Sequence, residues 1–344
     1  MICSQNTSIT VTALGQTLMT YDFQRLRPEQ FNQCKSLFAD STFVITNMEP
    51  ALGIPGIGSP TRPPDSPTHV MPISLLPQLQ CLGINLLAAA SNHSWDMGTA
   101  SIIAGIQELE KCNFAYAGIG IDRQHSIRAG VAHKDGKTGA IISMATGKIR
   151  PGAAASDLHA GVNELRLFDA DTLSDRDKEE NLEEISRCKR SGYYTTVVHH
   201  NHEWMQDKRI TPQWLINWAH ACIDAGADLF LGHGAPLLQG IEIYRGRPIL
   251  YNLGSFVFNC SSKEKWKEEV YWYTVAIKLQ CASDGELLKM DILPILLDRK
   301  SDPHGFPTIA NDQISQIILD DLADTSRRCF GTIISLSNKW RQNT

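Results

Sequence analysis

Asn92 and His93 sit in the stretch Ser91-Asn92-His93-Ser94-Trp95-Asp96, directly after an apolar run that begins at Cys81. That run reads as a buried strand. It delivers an amide, an imidazole and a carboxylate to the edge where an α/β sheet presents ligands. Asn is a weak metal ligand, useful beside an anionic one, and the adjacent His is then free to move a proton. Other strand-like runs end in residues of the same kind: Glu49, His200 and His233. Two imidazoles, one carboxylate and the Asn92 amide oxygen suit a single divalent ion such as Zn, Mn or Fe(II). Asp96 is spaced to orient His93 through its second ring nitrogen. It is equally placed to cap a helix beginning near Gly98. In His199-His200-Asn201-His202, alternation puts His200 and His202 on one face, toward the site, and His199 on the other as a structural residue. Three imidazoles on one strand end are poor core material unless they have partners. Gly232-His233-Gly234 taken alone can serve only a tight turn.

The elements that must position these residues alternate between strand and helix. Patterning predicts strands over 8–14, 42–47, 86–90, 114–118, 139–144, 193–198, 228–231, 249–252 and 270–280. It predicts helices over 72–82, 100–112, 178–191, 213–225 and 314–333, the last lying on the outside. Residues 50–72 carry seven prolines, so this segment reads as a long surface loop at the rim of the site. The alternation, with no linker and no repeat, predicts one α/β domain spanning 1–344.

Bulk properties exclude several classes. The chain has 344 residues, net charge −5 and 42% hydrophobic residues. No Lys/Arg run suggests a nucleic-acid partner. No segment reaches a membrane span of about 20 apolar residues. Residues 1–6 lack a basic, export-type start, so the expected location is cytoplasmic. The nine cysteines (3, 34, 81, 112, 188, 222, 260, 281, 329) are dispersed and read as reduced thiols, mostly buried.

Read in order, several segments resemble the CapA-type (PGA_cap) proteins of poly-γ-glutamate capsule synthesis, relatives of the calcineurin-like metallophosphoesterases. They are Gly15-Gln16-Thr17-Leu18-Met19, Thr46-Asn47-Met48-Glu49, Ser91-Asn92-His93 with Asp96 and Gly98, Tyr116-Ala117-Gly118 and Gly161-Val162-Asn163-Glu164-Leu165-Arg166. They continue with His200-Asn201-His202, Asp224-Ala225-Gly226-Ala227-Asp228, Gly232-His233-Gly234-Ala235-Pro236, and the block from Gln239 through Gly254-Ser255-Phe256 to Phe258. The resemblance implies a four-layer α/β/β/α sandwich with mixed sheets and a metal at the C-terminal strand edges. The wider pattern has Asp where this chain has Gln16, and His where it has Pro236. Both serve the first of two metals. The remaining set, Glu49, Asn92, His200 and His233, corresponds to the second. The resemblance therefore implies one tightly held divalent ion, with a second weak or missing.

A one-metal site suits carbonyl chemistry better than in-line phosphoryl displacement, which two metals clamp. The expected activity is a metal-dependent hydrolase or acyl-transfer enzyme acting on amide bonds of a small or peptide-like substrate, γ-glutamyl amides among them. Metal-activated water or a substrate amine attacks the carbonyl. His93 with Asp96 protonates the leaving group, while His202 and Gln16 line the pocket. Arg62 and Arg166 are candidate carboxylate anchors. The alternatives are a phosphoesterase of the parent fold and a non-catalytic capsule assembly factor.

Overall fold

The computed structural model describes residues 8–261 and 263–334. Cys3 and the charge-poor start at 1–6 lie outside the described residues.

Two mixed sheets carry the fold. The first orders seven strands as Pro307–Ile309, Leu287–Leu297, Tyr273–Cys281, Ile9–Ala13, Phe43–Asn47, Leu86–Ala88 and Ala115–Ala117. The second orders six as Ile241–Tyr244, Arg247–Leu250, Leu229–His233, Tyr194–Asn201, Lys137–Thr146 and Gly130–Lys134. The four strands from Ile9–Ala13 to Ala115–Ala117 run parallel, as do the four from Arg247–Leu250 to Lys137–Thr146. The outer pairs are antiparallel.

Alternation sends successive side chains to opposite faces. Phe43 and Ile45 point inward and meet Ile141, Val198 and Leu231 of the facing sheet. Val44 and Leu87 point outward, into a cluster shared with helices Pro28–Phe38, Leu76–Cys81 and Gly98–Lys111. Ile142, Val197 and Phe230 do the same beneath helices Asp175–Arg190 and Gln213–Asp224. Because both faces of each central strand are covered, these strands read as continuous apolar runs. The result is the expected four-layer α/β/β/α sandwich.

The helix Asp312–Phe330 lies on the outside, its buried stripe (Ile318, Leu322) joining the core between the sheets while Asp312, Gln316 and Asp320 face solvent. Its amphipathic stripe closes an edge that the strands leave open. The segment 50–72 is not loop throughout. Its ends form a parallel pair, Ala51–Gly53 with Val70–Pro72, because the prolines cluster between them. The helix Gly98–Lys111 has no side-chain cap and begins after Met97, so Asp96 is not a capping residue. Leu287–Leu297, the 11-residue partner of Tyr273–Cys281, was not anticipated.

Candidate metal centre and its cavity

Four parallel strands bring the chemistry together at their C-terminal ends: Phe43–Asn47, Leu86–Ala88, Tyr194–Asn201 and Leu229–His233. Glu49, Asn92, His200 and His233 lie at or just past those ends, and all are buried.

Among the described residues one group of acidic and imidazole donors is compact enough for a metal ion: Glu49, His200 and His202, whose donor atoms lie within 4.8 Å of one another. His202 reaches it by the alternation of its strand, its ring stacked on His200 at 5.1 Å. His199 points the other way, against Trp214 and Phe230, with Nε2 at 2.9 Å from the Thr146 hydroxyl. His233 pairs in register with His200 on the next strand but lies outside the compact group.

Hydrogen bonding fits a cation at this group. Glu49 Oε2 and both ring nitrogens of His202 are buried without partners, as are those of His233, the register partner of His200 outside the group. Such orphaned polar atoms call for an explanation, and an ion is one. Asn47 donates its amide hydrogens to Ala88 and Ala90 carbonyls, so its Oδ1 accepts from His200 Nδ1 at 2.8 Å. His200 Nε2 then carries a lone pair, and it faces Asn92 Oδ1 at 3.0 Å. Two acceptors converge with no proton between them, an arrangement that a cation resolves. Asn47 is the kind of partner that fixes the tautomer of a ligating histidine. Burial, reinforced by the Asp96 charge, pushes the Glu49 carboxyl up to about 8. A divalent cation would offset that cost.

A second cluster surrounds Asp96, which is fully buried. His93 Nδ1 donates to its Oδ2 at 2.7 Å, and the His69 backbone N–H donates to the same oxygen at 2.9 Å. Arg62 Nε at 2.5 Å and Arg150 Nη2 at 3.0 Å occupy Oδ1. Burial alone would raise Asp96, but the bond from His93 and the other donors outweigh it and hold the carboxyl below its ordinary range. Burial holds His93 below the usual imidazole range against the opposing pull of Asp96. His93 is therefore neutral near pH 7, with its hydrogen on Nδ1 and its Nε2 lone pair free.

A cavity of about 250 Å³ connects the two clusters, lined among others by Gln16, Glu49, Arg62, His69, Asn92, His93 and His202. Gln16 Oε1 accepts from the Gly234 N–H. Gly234 has φ +114°, and a side chain there would collide with the Asn201 carbonyl, so only glycine fits after His233. Arg62 lines the cavity, but its guanidinium is taken by Asp96 and, at 2.7 Å, by the Asn92 carbonyl. Arg166 is not brought to the cavity. It forms a two-pronged pair with Asp177, at 2.7 and 2.8 Å, beneath the helix Asp175–Arg190. Sequence reasoning missed Asn47, His69 and Arg150. Asn47 had a usable signal, a polar residue ending an apolar strand. His69 and Arg150 had none, since only tertiary folding brings them to Asp96.

Of the eight described cysteines, five are buried. Among the described residues no helix is long and apolar enough to cross a membrane.

Residues 10–260 match the family described as bacterial capsule synthesis protein PGA_cap. The uncharacterised protein y4sH of Sinorhizobium fredii is 25% identical over 308 residues, covering 73% of this chain and 66% of that protein. The PGA biosynthesis protein CapA of Bacillus subtilis is 29% identical over 183 residues, covering 53% of this chain and 44% of CapA. The chain thus matches about half to two thirds of the length of these relatives. Among solved structures, a 5'-nucleotidase precursor from Thermus thermophilus aligns with TM-score 0.44 at 12% identity, covering 92% of this chain and 58% of that one.

Proposed function

The chain belongs to the bacterial capsule synthesis protein family PGA_cap, and on that premise we propose that it is a metal-dependent hydrolase or acyl-transfer enzyme acting on amide bonds of a small peptide-like substrate. One relative carries PGA biosynthesis in its name, which supports γ-glutamyl amides as first substrates to try.

Glu49, His200 and His202 would hold one divalent ion, with Asn92 Oδ1 beside them. When bound, such an ion supplies Lewis acidity toward a carbonyl oxygen and lowers the pKa of water to about 7. The chain's own residues supply the proton transfers. His93 starts neutral and offers Nε2 as a base. It takes the proton from the attacking water or amine while Asp96 holds Nδ1, so the imidazolium forms against a fixed carboxylate. It then returns the proton to the leaving nitrogen, and its role as acid follows from its first role as base. Arg62 positions Asp96 and the Asn92 backbone together. Gln16 lies on the cavity wall with its carbonyl already committed to Gly234.

The observation that carries the reading is the single compact donor group among the described residues. Gln16 and Pro236 line the cavity where the wider pattern would place ligands for another ion. The test is an assay of an aryl ester, an anilide and an aryl phosphate, with Zn²⁺ or Mn²⁺ supplied. Turnover of the first two in preference to the phosphate is expected. Preference for the phosphate would replace acyl chemistry with phosphoester hydrolysis. Failure of all three would favour an assembly role.

A further inference from the structure

We infer that the mouth of this cavity is a subsite for an anionic group of the substrate, carried by Lys148 and Lys265 with Lys208 behind them. The inference rests on the cavity being a substrate site, and not on which bond reacts there.

The chain is acidic overall, with net charge −5, yet its cavity is not. The lining residues include the cations Arg62, Lys148 and Lys265, and Glu49 as the sole carboxyl. Arg62 is neutralised by Asp96. Among the described residues Lys148 and Lys265 have no ion-pair partner. Positive charge is thus left uncompensated at the one cavity that contains the candidate metal group.

Aromatic rings hold Lys148 and Lys208 in place without cancelling their charge. Lys148 Nζ lies 4.9 Å from the Trp204 ring centre, and Lys208 Nζ lies 4.8 Å from the same ring and 5.4 Å from Trp266. A cation–π contact attracts an ammonium but adds no formal negative charge. Trp204 and Trp266 both line the cavity. The Trp204 ring also packs against His202, tilted, at 4.6 Å, so the positive wall starts one side chain from the metal-type group. A wall of one sign beside a low-dielectric cleft concentrates ions of the other sign. At about 250 Å³ the cavity is at the small end for ligand sites. It admits a residue-sized group bearing a carboxylate or a phosphate. An ammonium is a point charge and pairs with either.

The test is calorimetric titration of the metal-stripped protein with glutarate, inorganic phosphate and uncharged glutaramide. Stripping the metal removes direct ligation as a source of binding. Glutarate or phosphate is expected to bind, glutaramide not to, and the affinity to fall as salt rises. The tighter of the two anions names the group. The double variant Lys148→Gln with Lys265→Gln should bind the anion at least ten-fold more weakly, with an unchanged circular dichroism spectrum. Equal binding of glutarate and glutaramide, unchanged affinity in the double variant, or no binding of any probe would overturn the subsite. If the anion binds as described but no anilide or ester is turned over, the subsite stands and the proposed reaction falls.

Discussion

His93 Nδ1 lies 2.7 Å from Asp96 Oδ2, and that carboxylate is fully buried among three further donors. The imidazole therefore has one orientation and one tautomer. Its basicity is set by burial opposed by this carboxylate. Asp96→Asn keeps the shape but removes the charge that stabilises an imidazolium. It should lower kcat by about 10²–10⁴, the usual worth of general acid–base catalysis, with metal content unchanged. Asp96→Ala strands Arg62 and Arg150, and loss of one partner of a buried ion pair costs about 3–5 kcal/mol. A normal kcat in the purified, folded Asn variant would remove the dyad from the mechanism.

Arg62 bridges Asp96 and the Asn92 carbonyl, so it acts through them rather than on a ligand. Arg62→Ala should depress kcat more than it raises KM, with partial rescue by Arg62→Lys. A pure KM effect would return Arg62 to the role of substrate anchor.

Asn47 holds His200 Nδ1 at 2.8 Å. Partners of this kind typically change metal affinity 10–100-fold when removed. Asn47→Ala should weaken metal binding by that factor while retaining one equivalent at saturation. Titration against a fluorescent chelator measures it, and an unchanged affinity would contradict the placement of the ion.

Asp177 pairs with Arg166 and Arg123. Burial opposes its ionisation, but the bonds from Arg166 prevail and its folded pKa lies below the ordinary value. A depressed folded pKa contributes stability that is present above the unfolded pKa of about 3.9 and is lost as pH falls through the folded value. The Tm of the wild type should drop more steeply below pH 4 than that of Asp177→Asn, and the gap seen at pH 7 should close. Parallel curves would exclude a role for this pair in acid stability.

Much of this centre was legible because period-two alternation carries chemistry as well as burial. Apolar residues 193–198 running into His199-His200-Asn201-His202 fixed which imidazoles share a face. Strand ends at Glu49 and Asn92 were readable for the same reason. Arg166 was misplaced in function because nothing local to residue 166 announces Asp177, a partner on the following helix. Asp96 read as a possible cap because helix-start spacing and dyad spacing coincide at three residues. The strand Leu287–Leu297 was missed because Lys289, Asp291 and Pro294 interrupt its apolar run, and a proline inside such a run argues against a strand. His69 and Arg150 reach Asp96 only through tertiary folding, and no pattern in a single chain encodes that.

In the proposed mechanism, Glu49, His200 and His202 hold one ion on which acyl chemistry depends. The most direct measurement is metal content by plasma mass spectrometry, taken with anilide turnover, for the wild type, His200→Ala and His202→Ala. Expected are about one equivalent in the wild type, well under half in both variants, and turnover that falls with the metal and returns to the wild type alone when metal is restored. Two tightly bound equivalents, or full turnover by metal-free protein, would contradict it.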